Sequence, residues 1–176
     1  MLATSGYMVV FRLLHILGGI FWVGGVALFA LFIAPAAAEV GPAAGPLVAN
    51  LVGKRRVVRV IAASGAVTIV AGAFAYWHDW DAYGSLGAFL DTRFGVVLSI
   101  GAVFALVAFA IGVSVVLPGV EGALRLGGQI AAAQGAPAAE LLERMRSLQL
   151  RNARASRTVL GLLVVAASSM ATARYW

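Results

Sequence analysis

The chain has 176 residues, of which 62% are hydrophobic and 11% are charged, and its mean hydropathy is +0.96. An ordinary soluble domain carries about 25% charged residues, so this composition excludes a soluble globular domain and indicates an integral membrane protein. The sequence has no cysteine, which excludes disulfides, thiolate metal sites, dithiol redox chemistry and iron–sulfur clusters.

Four long apolar stretches predict four transmembrane helices. They cover about residues 7–35, 57–77, 94–118 and 158–175. Each reaches or approaches the ~20 residues that a helix needs to cross ~30 Å of hydrocarbon. We therefore expect an all-α integral membrane protein, with residues 1–176 forming a single four-helix transmembrane domain. The first stretch is too long for a signal-peptide core and lacks a basic leader, so we expect it to stay as the first helix.

The distribution of charge predicts the orientation. Ten of the thirteen Lys and Arg residues lie in two loops, whereas the loop over 78–92 carries three Asp and no Lys or Arg, and is followed by Arg93. By the positive-inside rule both basic loops are cytoplasmic, which puts both termini and the 78–92 loop on the outer side. The basic residues are Lys54, Arg55, Arg56 and Arg59, and then Arg125, Arg144, Arg146, Arg151, Arg154 and Arg157.

The tryptophans and tyrosines agree with this orientation, because seven of the eight fall at the expected outer interface, where amphipathic rings prefer to lie. We thus expect a multi-pass protein of the cell membrane, with the bacterial inner membrane as its location. Its net charge of +6 is explained by basic residues that mark the cytoplasmic loops and contact anionic lipid. No nucleic-acid partner is expected. The aromatic residues of the belt are Tyr7, Tyr76, Trp77, Trp80, Tyr83, Tyr175 and Trp176.

Two connectors are expected to differ in character from the helices. Residues 36–53 are rich in Ala, Gly and Pro and predict a flexible loop, with a helical end over Leu47–Gly53. Residues Gly119–Gly135 predict a second Gly/Ala-rich connector. After Pro137 the sequence carries good helix formers, so helix four is expected to begin near Ala138. A cytoplasmic extension over about 138–157 then continues into the membrane as one rod of more than 30 residues.

The first helix gathers its polar residues on one side. At 100° per residue Met8, Arg12, His15, Gly19 and Trp22 share a stripe about 80° wide. Arg12 lies near enough to Tyr7 to reach the outer interface, and His15 lies deeper. Because ionisable residues within a membrane are costly, they are functional candidates by default. The alternative is that His15 is a core histidine that only forms a hydrogen bond to a neighbouring helix.

Two further side chains are predicted at similar depth. His78 ends the second helix beside Asp79 and Asp81, whose carboxylates could orient an imidazole, and Met170 lies in the outer half of helix four. Imidazole and thioether are ligands of haem iron and of copper. His15, His78 and Met170 are therefore the candidate metal ligands. An interfacial aromatic role for His78 and a packing role for Met170 stay open.

The string FRLLHILGGIFWVGG contains His15, Trp22 at +7, and Gly24–Gly25. This pattern resembles the copper-resistance D family of membrane proteins and the related HemJ-type protoporphyrinogen oxidases, and the terminal segment SSMATARYW is more loosely similar. The resemblance implies a bundle of about four helices in which His15 faces a haem or metal site and Trp22 packs against the bound group. The glycines would permit close approach.

Three functions follow from these residues. The first is a haem b protein or haem-dependent redox enzyme, with His15, Trp22 and Gly19 at the cofactor and Arg12 pairing with its propionates. The second is a copper-binding or copper-transport accessory protein. The third is a cofactor-free scaffold subunit that docks a partner on its basic rod. An oxidoreductase activity, a homodimer and an electron-transfer or metal-delivery partner stay open.

Overall fold

The computed structural model describes residues 3–133 and 139–175, with side chains from residue 6 onward. These residues are helical and contain no β-strand, which confirms the all-α class. Trp176, Pro137 and Ala138 lie outside the described residues. The helices are α1 (Ala3–Leu28), α2 (Ala34–Val40), α3 (Gly45–Val48), α4 (Val57–Ala82), α5 (Leu86–Leu90), α6 (Arg93–Ile111), α7 (Leu117–Ala132) and α8 (Ala139–Thr172), with π-helical turns at Phe29–Ile33, Ala49–Lys54 and Gly112–Val116 and 3₁₀ turns at Gly41–Ala44 and Ala173–Tyr175.

Three helical segments are long and apolar enough to cross a membrane, namely Gly6–Ala82, Arg93–Ala132 and Ala139–Tyr175. The first spans 77 residues and contains both α1 and α4. The chain reverses direction between these two helices, and the connection contains two residues with positive φ, Gly41 at 68° and Arg56 at 52°. The segments are those of a multi-pass membrane protein, and α8 alone is a rod of 34 residues.

Helices α1 and α4 pack against each other in antiparallel fashion. As residue numbers rise along α1, those of their partners fall along α4. A glycine stands on one side of each contact, and its missing side chain lets the two backbones approach closely. The contacts pair His15 with Gly72, Gly18 with Thr68, Trp22 with Gly65, and Gly25 with Ile61.

Helices α6 and α7 form the second antiparallel unit with α8. Gly101 of α6 lies against Ala166 and Met170, and Gly119 of α7 lies against Asn152. The two units meet in one core, to which α1, α4, α6 and α8 all contribute. Trp22, only 5% exposed, lies in this core with Ile61, Ala108, Val159 and Leu163.

Different contacts join the helices at the two ends of the bundle, an aromatic cluster at one end and an ion pair at the other. At the end that holds Tyr7, which we name the Tyr7 end, Phe89 is 0% exposed and its ring packs edge-on against Tyr76 and Tyr83. At the opposite end, named the Arg59 end, Nε of Arg59 donates to Oε1 of Glu121 at 2.6 Å. That ion pair ties α4 to α7.

Both expected connectors are more helical than predicted. Residues 34–54 form successive helical turns, and Pro42 and Pro46 stand in the first turn of short helices, where a missing N–H costs nothing. The predicted helical end over Leu47–Gly53 is confirmed. The prediction of a connector over Gly119–Gly135 is wrong up to Ala132, because α7 occupies it. Its glycines pack against α8 at Asn152 and Leu148, so they are contact points and do not break the helix.

Replacing Gly65 by Leu tests the α1–α4 packing. A Cβ at Gly65 would lie 2.8 Å from Cε2 of Trp22, and a leucine there would have to displace an indole that is only 5% exposed. We expect Gly65→Leu to lower the free energy of unfolding by about 1–3 kcal/mol, the usual cost of overpacking a core. Thermal unfolding in detergent measures the effect.

Gly24→Leu is the matched control, since nothing lies within 4 Å of a Cβ at Gly24. Its melting temperature should stay near that of the native chain. Equal melting temperatures for the two variants would contradict the packing.

Candidate functional site

The predicted stripe of α1 lies on its α4-facing side. Met8 and Trp22 are buried, and His15 is half-buried with its ring against Gly72. Gly19 is in ordinary contact with the methyl group of Thr68, 3.6 Å from where its Cβ would be. The stripe is therefore a helix–helix contact in the first place. Its functional role depends on whether a ring nitrogen of His15 is left without a hydrogen bond.

The hydrogen bond of His15 fixes its tautomer. Nδ1 of His15 lies 2.9 Å from the backbone carbonyl oxygen of Thr68. A carbonyl can only accept, so Nδ1 carries the proton and donates it. Nε2 of a neutral imidazole is then left with its lone pair. Histidines that bind metals commonly hold the other ring nitrogen in this way.

Thr68 is the residue of this site that sequence reasoning missed. It is buried, and its hydroxyl donates to the carbonyl of Ser64 at 2.8 Å, so the hydroxyl does not compete for the imidazole. The signal in the sequence is the spacing of Ser64, Thr68 and Gly72, which puts small and polar residues four apart on one face of α4. That face matches the stripe of α1.

Arg12 lies at the Tyr7 end and is largely uncovered by protein. Its side chain is 62% exposed, and Nη2 lies 3.8 Å from Oδ1 of Asp79. Such a long and exposed ion pair is weak. The guanidinium therefore keeps most of its five donors for another anion. Sequence reasoning assigned Asp79 to the orientation of an imidazole and did not anticipate its contact with Arg12.

His78 shares the same carboxylate. Its Nδ1 lies 3.7 Å from Oδ1 of Asp79, which is too far for a hydrogen bond, and this buried nitrogen has no partner among the described residues. The ring faces Tyr7 edge-on at 6.5 Å between centroids. Asp79 thus lies between Arg12 and His78, at the mouth of the α1–α4 interface.

Met170 lies at a different interface. Its Cγ would be 3.0 Å from a Cβ at Gly101, so it packs between α8 and α6, whereas His15 packs between α1 and α4. Trp22 covers Gly65 and meets Phe109 edge-on at 5.9 Å. The ligand roles predicted for His78 and Met170 and the cofactor contact predicted for Trp22 stay predictions.

A cavity of about 50 Å³ borders Trp22, Phe109 and Ser156 on the side toward the Arg59 end. Pockets for drug-sized ligands and cofactors measure about 300–1,000 Å³, so this cavity is too small for a haem, and His15 does not line it. Within the described ranges, no three His, Asp or Glu side chains lie close enough together to hold a metal ion. A cofactor on His15 would thus lie at the edge of the bundle.

No protein-family model matches this chain, and no curated protein or solved structure matches it either. The resemblance of the first helix to the copper-resistance D and HemJ-type proteins therefore stays a prediction.

The tautomer of His15 can be measured directly. In a long-range ¹⁵N–¹H spectrum at neutral pH, we expect one of the two imidazoles to show the pattern of a protonated Nδ1 and an unprotonated Nε2. His15→Gln should remove that signal, and His78→Gln should leave it in place. A protonated Nε2 on His15 would contradict the hydrogen bond to Thr68.

Proposed function

We propose that this chain is an integral membrane protein of four spans that binds haem b through Nε2 of His15. The observation that carries the proposal is the hydrogen bond from Nδ1 of His15 to the Thr68 carbonyl oxygen. It holds the imidazole in the tautomer that an iron ligand requires, in an apolar setting where the bond competes with little water.

Two side chains toward the Tyr7 end of the bundle have the chemistry that haem requires, although the internal cavity beside Trp22 is too small to hold it. The imidazole is a suitable axial ligand, and Arg12 stands toward the Tyr7 end, with a guanidinium suited to a propionate carboxylate. Because the cavity beside Trp22 is too small, the haem belongs at the edge of the bundle. A second copy of this chain would cover its other face. Haem b, when bound, would supply one-electron transfer.

Copper is the weaker candidate. A copper site built from imidazole and thioether needs those groups together, and His15 and Met170 pack in different interfaces. The alternative that the experiment must exclude is a cofactor-free scaffold, in which His15 only joins α1 to α4.

Visible absorption tests the proposal. The full chain, purified in detergent from haem-replete cells or titrated with haemin, should give a Soret band. His15→Ala should abolish that band, because it removes the proposed iron ligand. Since His15 is only half-buried, we expect the variant to fold.

His78→Ala is the matched control, since the chain has only two histidines. It should keep the Soret band. A colourless native chain that also fails to take up haemin refutes the proposal, and so does a Soret band that survives unchanged in His15→Ala. Bound copper that disappears in His15→Ala would favour the second candidate.

The proposed orientation puts both termini and the 78–92 loop on the outer side. The charge distribution supports it. Asp81 near the Tyr7 end and Gln149 on the basic part of α8 are both exposed, so each position can carry a label. Since the native chain has no cysteine, single cysteines report location without a background.

In intact cells, a membrane-impermeant maleimide should label Asp81→Cys and spare Gln149→Cys until the membrane is opened. The reverse pattern would invert the orientation, and labelling of both in intact cells would contradict the four spans.

A further inference from the structure

An open cleft lies between α7 and α8 beyond the Arg59 end of the apolar core. Its volume is about 620 Å³. The floor forms where Leu148 packs against Gly122, whose absent side chain leaves room between the helices. The cleft is lined by Gly122, Arg125, Leu126, Gln129, Arg144, Ser147, Leu148 and Arg151.

Three guanidinium groups share this cleft. Arg144 and Arg151 are seven residues apart, which puts them on one face of α8, and Arg125 comes from α7. No carboxylate lies within 4.0 Å of any of the three among the described residues. Glu121, the one acidic residue of α7, accepts from Arg59 at 2.6 Å and reaches Arg125 only through a longer-range attraction.

The lining groups are donors that match an anion. The hydroxyl of Ser147 already donates to the carbonyl of Arg144 at 3.0 Å, so the free donors are the three guanidinium groups and the Gln129 amide. Guanidinium forks bind the oxygens of phosphate in pairs. The volume falls within the range of about 300–1,000 Å³ that is usual for small-ligand pockets.

We propose that the Arg125–Arg144–Arg151 cleft binds a phosphate-bearing anion. Concentrating like charges is unfavourable unless a counter-charge is bound, because the groups repel one another. The cleft is separate from His15, so the proposal stands or falls independently of haem.

The position of the cleft favours a soluble phosphate over a lipid headgroup. If the fourth of the proposed spans begins near residue 158, as its apolar sequence predicts, Arg151 lies about 10 Å and Arg144 about 21 Å beyond that point at 1.5 Å per residue. The headgroup layer is only about 5–8 Å deep on each side. Arg154 and Arg157 lie closer to the lipid phosphates.

Calorimetric titration of pyrophosphate into the full chain in neutral detergent at low salt tests the proposal. Saturable binding is expected. The triple variant Arg125→Gln, Arg144→Gln, Arg151→Gln should lose at least about tenfold in affinity, since it removes all three charge-assisted contacts.

The triple variant Arg146→Gln, Arg154→Gln, Arg157→Gln is the matched control. It removes the same charge from positions on α8 that do not line the cleft, and its affinity should stay within about threefold of the native value, since charges outside the cleft act on the bound anion only at a distance. Absence of pyrophosphate binding by the native chain, or equal losses in both triples, overturns the proposal.

Nanodiscs of phosphatidylcholine, with and without phosphatidylglycerol, separate the two sources of phosphate. If phosphatidylglycerol weakens pyrophosphate binding by the native chain, a lipid phosphate occupies the cleft. If the affinity is unchanged, the cleft takes a soluble phosphate ligand. Either result supports the site, and the Soret band of the same samples reports on His15 separately.

Discussion

The close contact between α1 and α4 is the constraint on which the rest of the structure depends. In lipid no hydrophobic force draws helices together, so association relies on van der Waals packing and hydrogen bonds between helices. Both require short distances, and glycines supply them here. Gly65 leaves room for the indole of Trp22, and Gly72 leaves room for the imidazole of His15.

The contact between α1 and α4 also determines the hydrogen bond of His15. The imidazole of His15 reaches the Thr68 carbonyl oxygen at 2.9 Å only because Gly72 has no side chain in its way. The bond fixes the proton on Nδ1 and leaves Nε2 as the available nitrogen. The bundle is therefore divided by function, with the proposed cofactor ligand toward the Tyr7 end and the basic cleft of α7 and α8 beyond the Arg59 end. The ion pair of Arg59 with Glu121 lies between them.

The sequence predicts the helical class and the shared face of α1 well, because both follow from apolar length and from 3.6-residue periodicity. It does not predict the Thr68 carbonyl as a partner, since a backbone acceptor leaves no mark in residue type. The helix α7 is missed for a related reason. Gly119 and Gly122 look like helix breakers in isolation, and only the neighbouring α8 turns them into packing sites. Contacts between helices distant in sequence decide these features, and local propensity does not.

Helix packing sets the tautomer of His15 by holding Nδ1 against the Thr68 carbonyl oxygen. The most direct test of this dependence is the long-range ¹⁵N–¹H spectrum of Gly72→Ala, in which the new methyl group would lie 2.7 Å from Nδ1 and Cε1 of the ring. The ring must then leave the Thr68 carbonyl, and the account predicts a folded chain whose His15 shows a protonated Nε2 or a mixture of tautomers. A His15 signal that keeps the pure Nδ1–H pattern in this variant would contradict the claim.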